Sequence, residues 1–368
     1  MHIPDGYLSP ETCAATLLIT VPSLALAARR VGEEIGTRQV PALALFSSSS
    51  FLIMMLNLPV PGGTTAHAVG AVIIGVVLGP WAAMIAVAVA LLFQALLFDD
   101  GGILTWGANV LNMAILMPIV GLAVYRLLSK GSMLNSRRRT LAAALGGYTG
   151  MLAAALAVAV ELGIQPAFFH SDDGTPLYSP YSLSQTLPAM LVAHLLVAGP
   201  AEALLTGALL TRIARTRPSL LLRTHTGLIG GAAADGAARA AKAPRSILAL
   251  IALAPLGMLA KGTAFAEDAP EDLSPSDLGL NALPSGMTRY AEFWNHALLS
   301  GYGADGPHPV LAYWGSAILG TLTIGTLAMV IMRLVRHPAG RAPHSSPPHR
   351  PTGPNTAIVA SGPPASDS

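Results

Sequence analysis

Charge is scarce in this chain: of 368 residues, only 11% are Asp, Glu, Lys or Arg, against 52% hydrophobic. Soluble domains carry about 25% charged residues, so the scarcity points to an integral membrane protein with several spans. Cysteine is scarcer still. The single thiol, Cys13, excludes an intramolecular disulfide and any multi-thiolate zinc or iron–sulfur site; in its apolar run it reads as small core filler. The lysines are Lys130, Lys242 and Lys261, and none stands in a G-x-x-x-x-G-K-[ST] context. The chain therefore has no phosphate-binding loop, and ATP-driven transport would need another subunit to hydrolyse the nucleotide. Absent too is any Ser/His/Asp or H-E-x-x-H arrangement that would support an intramembrane hydrolase. Basic residues first occur after the opening apolar run, at Arg29 and Arg30, so no removable signal peptide is expected.

What is present is a series of uncharged apolar runs at about 12–28, 40–58, 64–79, 81–98, 103–125, 140–160 and 183–211, then 246–264 and 310–335. Their lengths suit helices across a hydrocarbon layer of roughly 30 Å. Gly79-Pro80 divides the third run from the fourth and predicts a tight hairpin. With an outside N-terminus, nearly all basic residues fall inside: Arg29, Arg30 and Arg38 in one loop, Arg126 to Arg139 in the next, Arg212 to Arg245 in a third, and Arg333 to Arg350 in the tail. Only Lys261 and Arg289 remain outside, as the positive-inside rule expects of nine spans. The chain is thus expected to be multi-pass in a bacterial inner membrane, surrounded by lipid, with an outer N-terminus and a cytoplasmic C-terminus. No nucleic-acid partner is expected.

Acidic residues gather in the outer loops: Asp5, Glu11, Asp99, Asp100, Asp172, Asp173, and Glu267 through Asp305. They solvate those loops; the functional reading is a weak funnel for cations. Residues 224–245 form a Gly/Ala-rich inner linker and a natural module boundary. Residues 337–368, rich in Pro, Ser, Gly and Ala, are expected to be disordered.

The chemistry begins at the first residues, MHIPDGYLSP. A histidine at position two can chelate a metal through the terminal amine, its own amide nitrogen and its imidazole Nδ1. The chelate rings have five and six members, are nearly strainless, and hold three nitrogens in one plane. A fourth planar nitrogen completes a square, which suits Ni(II) or Cu(II) and disfavours Zn(II). Histidine is bulky, so Met1 should be retained once its formyl group is removed. Binding should release protons, because α-amino groups ordinarily titrate at about 7.7–8.0 and must be neutral to coordinate. The candidate fourth ligand is His67, in NLPVPGGTTAHAVG. Pro59, Pro61, Gly62 and Gly63 make a tight, unwound approach, Thr64 and Thr65 offer hydroxyls behind the ligand, and His67 is expected to open the third span at the outer side. Glu202 and His194 share a face of the seventh run. Glu202 reads as an internal polar or partner contact rather than a metal ligand, and Asn109, Asn112 and Gln94 as helix-to-helix hydrogen-bonding residues. Small residues at Ala82, Ala86 and Ala90, and at Ala153 and Ala157, allow close helix packing, internally or with a partner.

MHIPDGYLSP, NLPVPGGTTAHAVG, LGPWAA, QALLFDDGGILTWGANVLNM and GPAEALLT run in order through residues 1–210. With these segments the chain resembles the CbiM/NikM group, the nickel- and cobalt-specific capture subunits of energy-coupling-factor transporters. The resemblance implies an all-α integral membrane fold: a seven-helix capture domain over 1–223 with its N-terminus inserted in a central pocket. It implies a square-planar site from the Met1 amine, the His2 amide nitrogen and imidazole, and His67, with Ni2+ as transported ion and Co2+ as the alternative. The implied partners are a transmembrane coupling subunit and two cytoplasmic ATPases, and the capture subunit is expected to topple to release its ion inward. Residues 246–336, with an outer loop at 265–309, more faintly resemble the two-helix auxiliary component of nickel systems, fused here as in NikMN-type chains. The start of that module also reads as an embedded signal sequence, with Ala264-Phe265-Ala266 as a cleavage pattern before Glu267; a plain eighth span is the other reading. An ion-gradient-driven secondary transporter would want paired midplane carboxylates or inverted repeats, and neither is evident.

Overall fold

The computed structural model describes residues 1–34, 40–61, 64–222, 243–260 and 262–335. Arg38, Gly62, Gly63, Arg223, Lys261, most of the 224–245 linker and the 337–368 tail lie outside the described residues. Helices are α1 (Pro10–Glu34), α2 (Val40–Met54), α3 (Ala71–Leu78), α4 (Pro80–Phe98), α5 (Trp106–Ser129), α6 (Arg137–Gly163), α7 (Leu183–Thr216), α8 (Ala243–Leu253) and α9 (Pro309–Val335). A two-stranded antiparallel hairpin, β1 (Leu58–Val60) with β2 (Thr64–Ala66), precedes α3 and pairs Leu58 with Ala66. Among the described residues the fold is all-α apart from this hairpin, and α1 to α7 fall within residues 1–216. Among the described residues, six helical segments are long and apolar enough to cross a membrane; Val40–Met54 and Arg245–Leu259 are shorter apolar helices.

The third apolar run departs from expectation. Only eight of its residues, Ala71–Leu78, are helical, about 12 Å of rise, so this segment spans roughly half a bilayer. Gly70 breaks the helix at φ 77°, and the preceding residues return as a hairpin rather than as a further turn. His67 consequently precedes the helix instead of opening it, and is buried at 3% exposure. At the other end of α3 the chain turns at Gly79, φ 95°, and Pro80 starts α4, where its missing N–H costs nothing.

α4 is the most enclosed of the long helices. Ala82, Ala86 and Ala90 are all buried within the chain, whereas Ala153 and Ala157 are half-buried. α5 and α6 approach backbone to backbone: a Cβ on Gly146 would lie 2.6 Å from the Gly121 carbonyl oxygen, and one on Gly150 2.6 Å from that of Met117. Residues 1–335 form one compact unit, so the expected capture and auxiliary modules pack together. The seam between them is α9 against α2. Ser48 donates to the Thr321 carbonyl (3.0 Å), Tyr313 donates to the Met55 carbonyl (2.8 Å), and Phe51 packs among Phe98, Tyr302 and Gly320.

Gly320 leaves no room at that seam, since a Cβ there would sit 2.2 Å from the Phe51 ring. Gly320→Val should cost about 1–3 kcal/mol through overpacking and lower the midpoint of thermal unfolding in detergent. Gly315→Ala on the same helix meets no atom within 4 Å and should leave the midpoint unchanged or raised.

Candidate metal site

The first nine residues run through the interior. Met1 and His2 are each 3% exposed and Ile3 is 1% exposed, and a dense set of hydrogen bonds fixes this segment to the loop after α4. Asn109 grips Ile3 from both sides: its Oδ1 accepts the Ile3 N–H at 2.8 Å, and its Nδ2 donates to the Ile3 carbonyl at 3.1 Å. The same carbonyl accepts from the Gly102 N–H at 2.9 Å and the Thr105 hydroxyl at 2.5 Å. Asp5 takes the N–H groups of Ile103, Leu104 and Thr105 at 3.0, 2.8 and 3.2 Å, supplying a carboxylate to donors at the start of α5. Gly102 is obligatory, because a Cβ there would lie 1.9 Å from Asp5 Oδ1. MHIPD and DDGGILTWGAN are thus two halves of one joint.

His67 is held from the opposite side by Glu202. The Glu202 carboxylate accepts the N–H groups of Val69 and Gly70, both at 2.9 Å, through Oε2. These donors at the start of α3 lack partners within their own helix, and a side chain from α7 satisfies them. His67 Nδ1 is 3.1 Å from the Ala68 carbonyl and as a donor leaves Nε2 bare; Nε2 has no hydrogen-bond partner. This is how a ligating imidazole is oriented.

The two imidazoles stack, with centroids 4.9 Å apart and planes at 28°. Donor atoms of His2, His67 and Glu267 lie within 4.8 Å of one another, the one such cluster among the described residues. The Met1 ammonium and the His2 amide N–H both donate to Glu267 Oε1, the second at 2.6 Å. His2 Nδ1 lies 3.1 Å from Asp100 Oδ1, outside hydrogen-bonding direction. Asp100 in turn receives Gln94 Nε2 at 2.9 Å and the Tyr302 hydroxyl. Burial drives the His2 imidazole down to about 4, helped by the neighbouring terminal ammonium, so the ring is a neutral donor at physiological pH. Four nitrogens are gathered here, although the stacked rings and the turn of Nδ1 toward Asp100 mean that one square plane requires an imidazole to rotate.

Several other residues fall elsewhere. The Thr64 hydroxyl donates to the Thr263 carbonyl at 3.0 Å, and the Thr65 N–H reaches the same oxygen at 3.3 Å; both threonines tie β2 to the auxiliary segment. Gly63 lies outside the described residues. Asn112 donates to Glu161 Oε2 at 2.6 Å, between α5 and α6. His194 is buried in a π-helical turn of α7, its Nδ1 2.6 Å from the Met190 carbonyl, outside the cluster. Glu267 and Tyr302, both from the auxiliary segment, are the site residues that the sequence reading did not single out. Only the position of Glu267 directly after Ala-Phe-Ala set it apart from the other outer-loop acids.

The description "Cobalt uptake substrate-specific transmembrane region" (CbiM) matches residues 2–220. This chain belongs to the CbiM family. Relatives extend beyond that region. The fused nickel transport protein NikMN of Rhodobacter capsulatus is 45% identical over 337 residues, 88% of this chain and 95% of that one. The probable fused nickel transport protein LarMN of Lactiplantibacillus plantarum is 41% identical over 352 residues, 94% and 100% of the two chains. A cobalt transport protein CbiM of Kyrpidia tusciae is 35% identical over 162 residues, 44% and 66% of the two. A crystal structure of a truncated transition metal transporter is 52% identical, with a TM-score of 0.55, and covers 58% of this chain and 99% of its own. The CbiM-family chain is therefore a multi-pass membrane transport protein of the fused NikMN type.

Glu202 touches no candidate ligand, so its removal isolates positioning. Glu202→Ala would leave two buried N–H groups unpaired, at about 1–3 kcal/mol, and free the turn that carries His67. Equilibrium dialysis with Ni2+ should show affinity lowered by roughly 10–100-fold, while the chain still inserts.

Proposed function

We propose that this chain is the metal-capture subunit of an ATP-driven importer of the energy-coupling-factor type, taking up a divalent transition metal, with nickel preferred to cobalt. The observation that carries the reading is the meeting of the chain's first amino group and His2 with His67, buried together from sequence positions some sixty residues apart. A terminal amine, a deprotonated amide and two neutral imidazoles make a strong-field planar set suited to Ni(II). The ion is cargo: Met1, His2 and His67 hold it, Asn109 and Asp5 fix the segment that carries the first two, and Glu202 fixes the turn that follows the third.

Nickel is favoured because the relatives that match nearly the whole chain are named for nickel transport, whereas cobalt-named relatives match less than half of it. Cobalt uptake by the same type of complex, supplying cobalamin synthesis, is the alternative. The missing phosphate-binding loop supports separate partners: a transmembrane coupling subunit and two cytoplasmic ATPases. The basic residues support an outer N-terminus, so that the site loads from outside and the domain topples to release inward.

Metal uptake by cells expressing this chain should require co-expressed ATPases; gradient-driven uptake without them would establish a secondary transporter instead. Direct metal analysis under competing Ni2+ and Co2+ decides the ion. Retention of the formyl group on Met1 should abolish tight binding while insertion proceeds normally, since a formylated nitrogen is no longer a basic donor. Acidification from about pH 8 to about pH 6 should weaken binding, because binding expels protons from coordinating nitrogens. His2 does not contribute to that loss, as its lowered pKa of about 4 keeps it neutral through the window. A flat response would overturn amine ligation.

A further inference from the structure

The geometry points to Glu267 as an oxygen ligand for the incoming divalent ion, holding it, still partly hydrated, against His2 and His67 before the four-nitrogen set closes. This rests on the site reading above and assigns the step that precedes it. Glu267 offers a carboxylate oxygen in the same cluster, within 4.8 Å, as the nitrogens of both imidazoles. Its two hydrogen bonds both fall on Oε1, from the Met1 ammonium and the His2 N–H, the two nitrogens that must shed a proton to bind metal. The Glu267 side chain is 18% exposed where the Met1 side chain is 1% exposed, so this carboxylate is the more solvent-accessible partner of the buried amine.

The position is built. Ala266 adopts φ 59°, a left-handed conformation uncommon for a side chain with a Cβ, and the Glu267 N–H closes a turn onto the Ala264 carbonyl at 3.0 Å. On one side, the Thr263 carbonyl is bound by the strand that leads into His67. On the other, the Asp268 carbonyl accepts the Tyr7 hydroxyl at 2.8 Å. The segment is thus pinned to both ligand-bearing stretches, with Glu267 at the point where they meet.

Chemistry explains the use of such a group. Nickel and cobalt ions arrive with oxygen ligands in octahedral array, whereas the proposed end state is planar and all-nitrogen. Direct transfer would strip several waters and displace two nitrogen-bound protons in one event. A carboxylate accepts an ion that retains part of its water, and its bond to the metal breaks again as the amine and amide nitrogens take their places, their two protons leaving to solvent with the remaining water ligands.

The test uses the full-length chain with a native N-terminus, mixed rapidly with Ni2+ and followed by the absorption of planar Ni(II). Glu267→Gln keeps an oxygen that can accept both hydrogen bonds and removes the anionic ligand. It should slow association roughly tenfold or more and reach the same final spectrum, with Glu267→Ala at least as slow. Association of Glu267→Gln at the parent rate would overturn the proposal, including the case in which only Glu267→Ala is slow, because a hydrogen-bond acceptor then suffices. Loss of the planar end state in a folded Glu267→Gln chain, judged by an unchanged thermal midpoint, would make Glu267 a permanent ligand and equally overturn the loading role. The four-nitrogen reading is checked apart from this: His67→Ala must remove the planar spectrum, and if it does not, that reading fails whatever Glu267 does.

Discussion

Everything in this structure turns on holding the chain's first amino group deep within a membrane protein. A terminal ammonium is costly to bury without a counter-charge, and the first few residues of a chain are normally the least ordered. Here both costs are offset locally. Glu267 accepts the ammonium and the next N–H, and Asn109 pairs with Ile3 as a neighbouring strand would. Asp5 caps three successive backbone donors of the opposite loop. The α5 start, the DDGG turn and the leading segment are therefore one structural element assembled from two distant stretches.

From that anchor the form of the third apolar run follows. His67 reaches the buried His2 ring, and it does so ahead of its helix rather than within it. The hairpin and the eight-residue α3 solve this by sending the chain in, reversing it, and starting a half-span helix from inside. Such irregular backbone is tolerated at membrane depth only where protein covers it. Glu202 satisfies the exposed start of α3 from α7, and the auxiliary segment covers β2 through Thr263. A buried carboxylate in α7 is thus a requirement of the interrupted third span.

Much of this was legible in the residues alone. The pairing of His2 with His67 was within reach, His2 by its place beside the first amine and His67 by its Pro- and Gly-rich approach. The Gly79-Pro80 break marked the turn between α3 and α4, and Glu202 was legible as an internal polar contact because a lone acid in an apolar run needs a partner. The half-length of α3 was hidden, since the run 64–79 has the composition of a span and hydropathy does not register whether backbone donors find partners from another helix. Asn109 and Asn112 looked alike in sequence, yet one clamps Ile3 and the other serves Glu161. Glu267 and Tyr302 were least legible, because a contact across some 200 or more positions leaves no periodic trace in either segment.

The charge balance at the site shows why a carboxylate belongs beside the amine throughout. Before capture the donors carry one positive charge, on the ammonium. Capture by the proposed four-nitrogen set brings in two positive charges and expels two protons, one from the amine and one from the amide, so the donors with their ion again carry one. In a poorly polarisable interior a change of net charge costs far more than in water, and this exchange has none. The Glu267 carboxylate therefore faces the same charge before and after. The selective term left to the protein is the bonding between nitrogen and metal, which is where nickel, cobalt and zinc differ most.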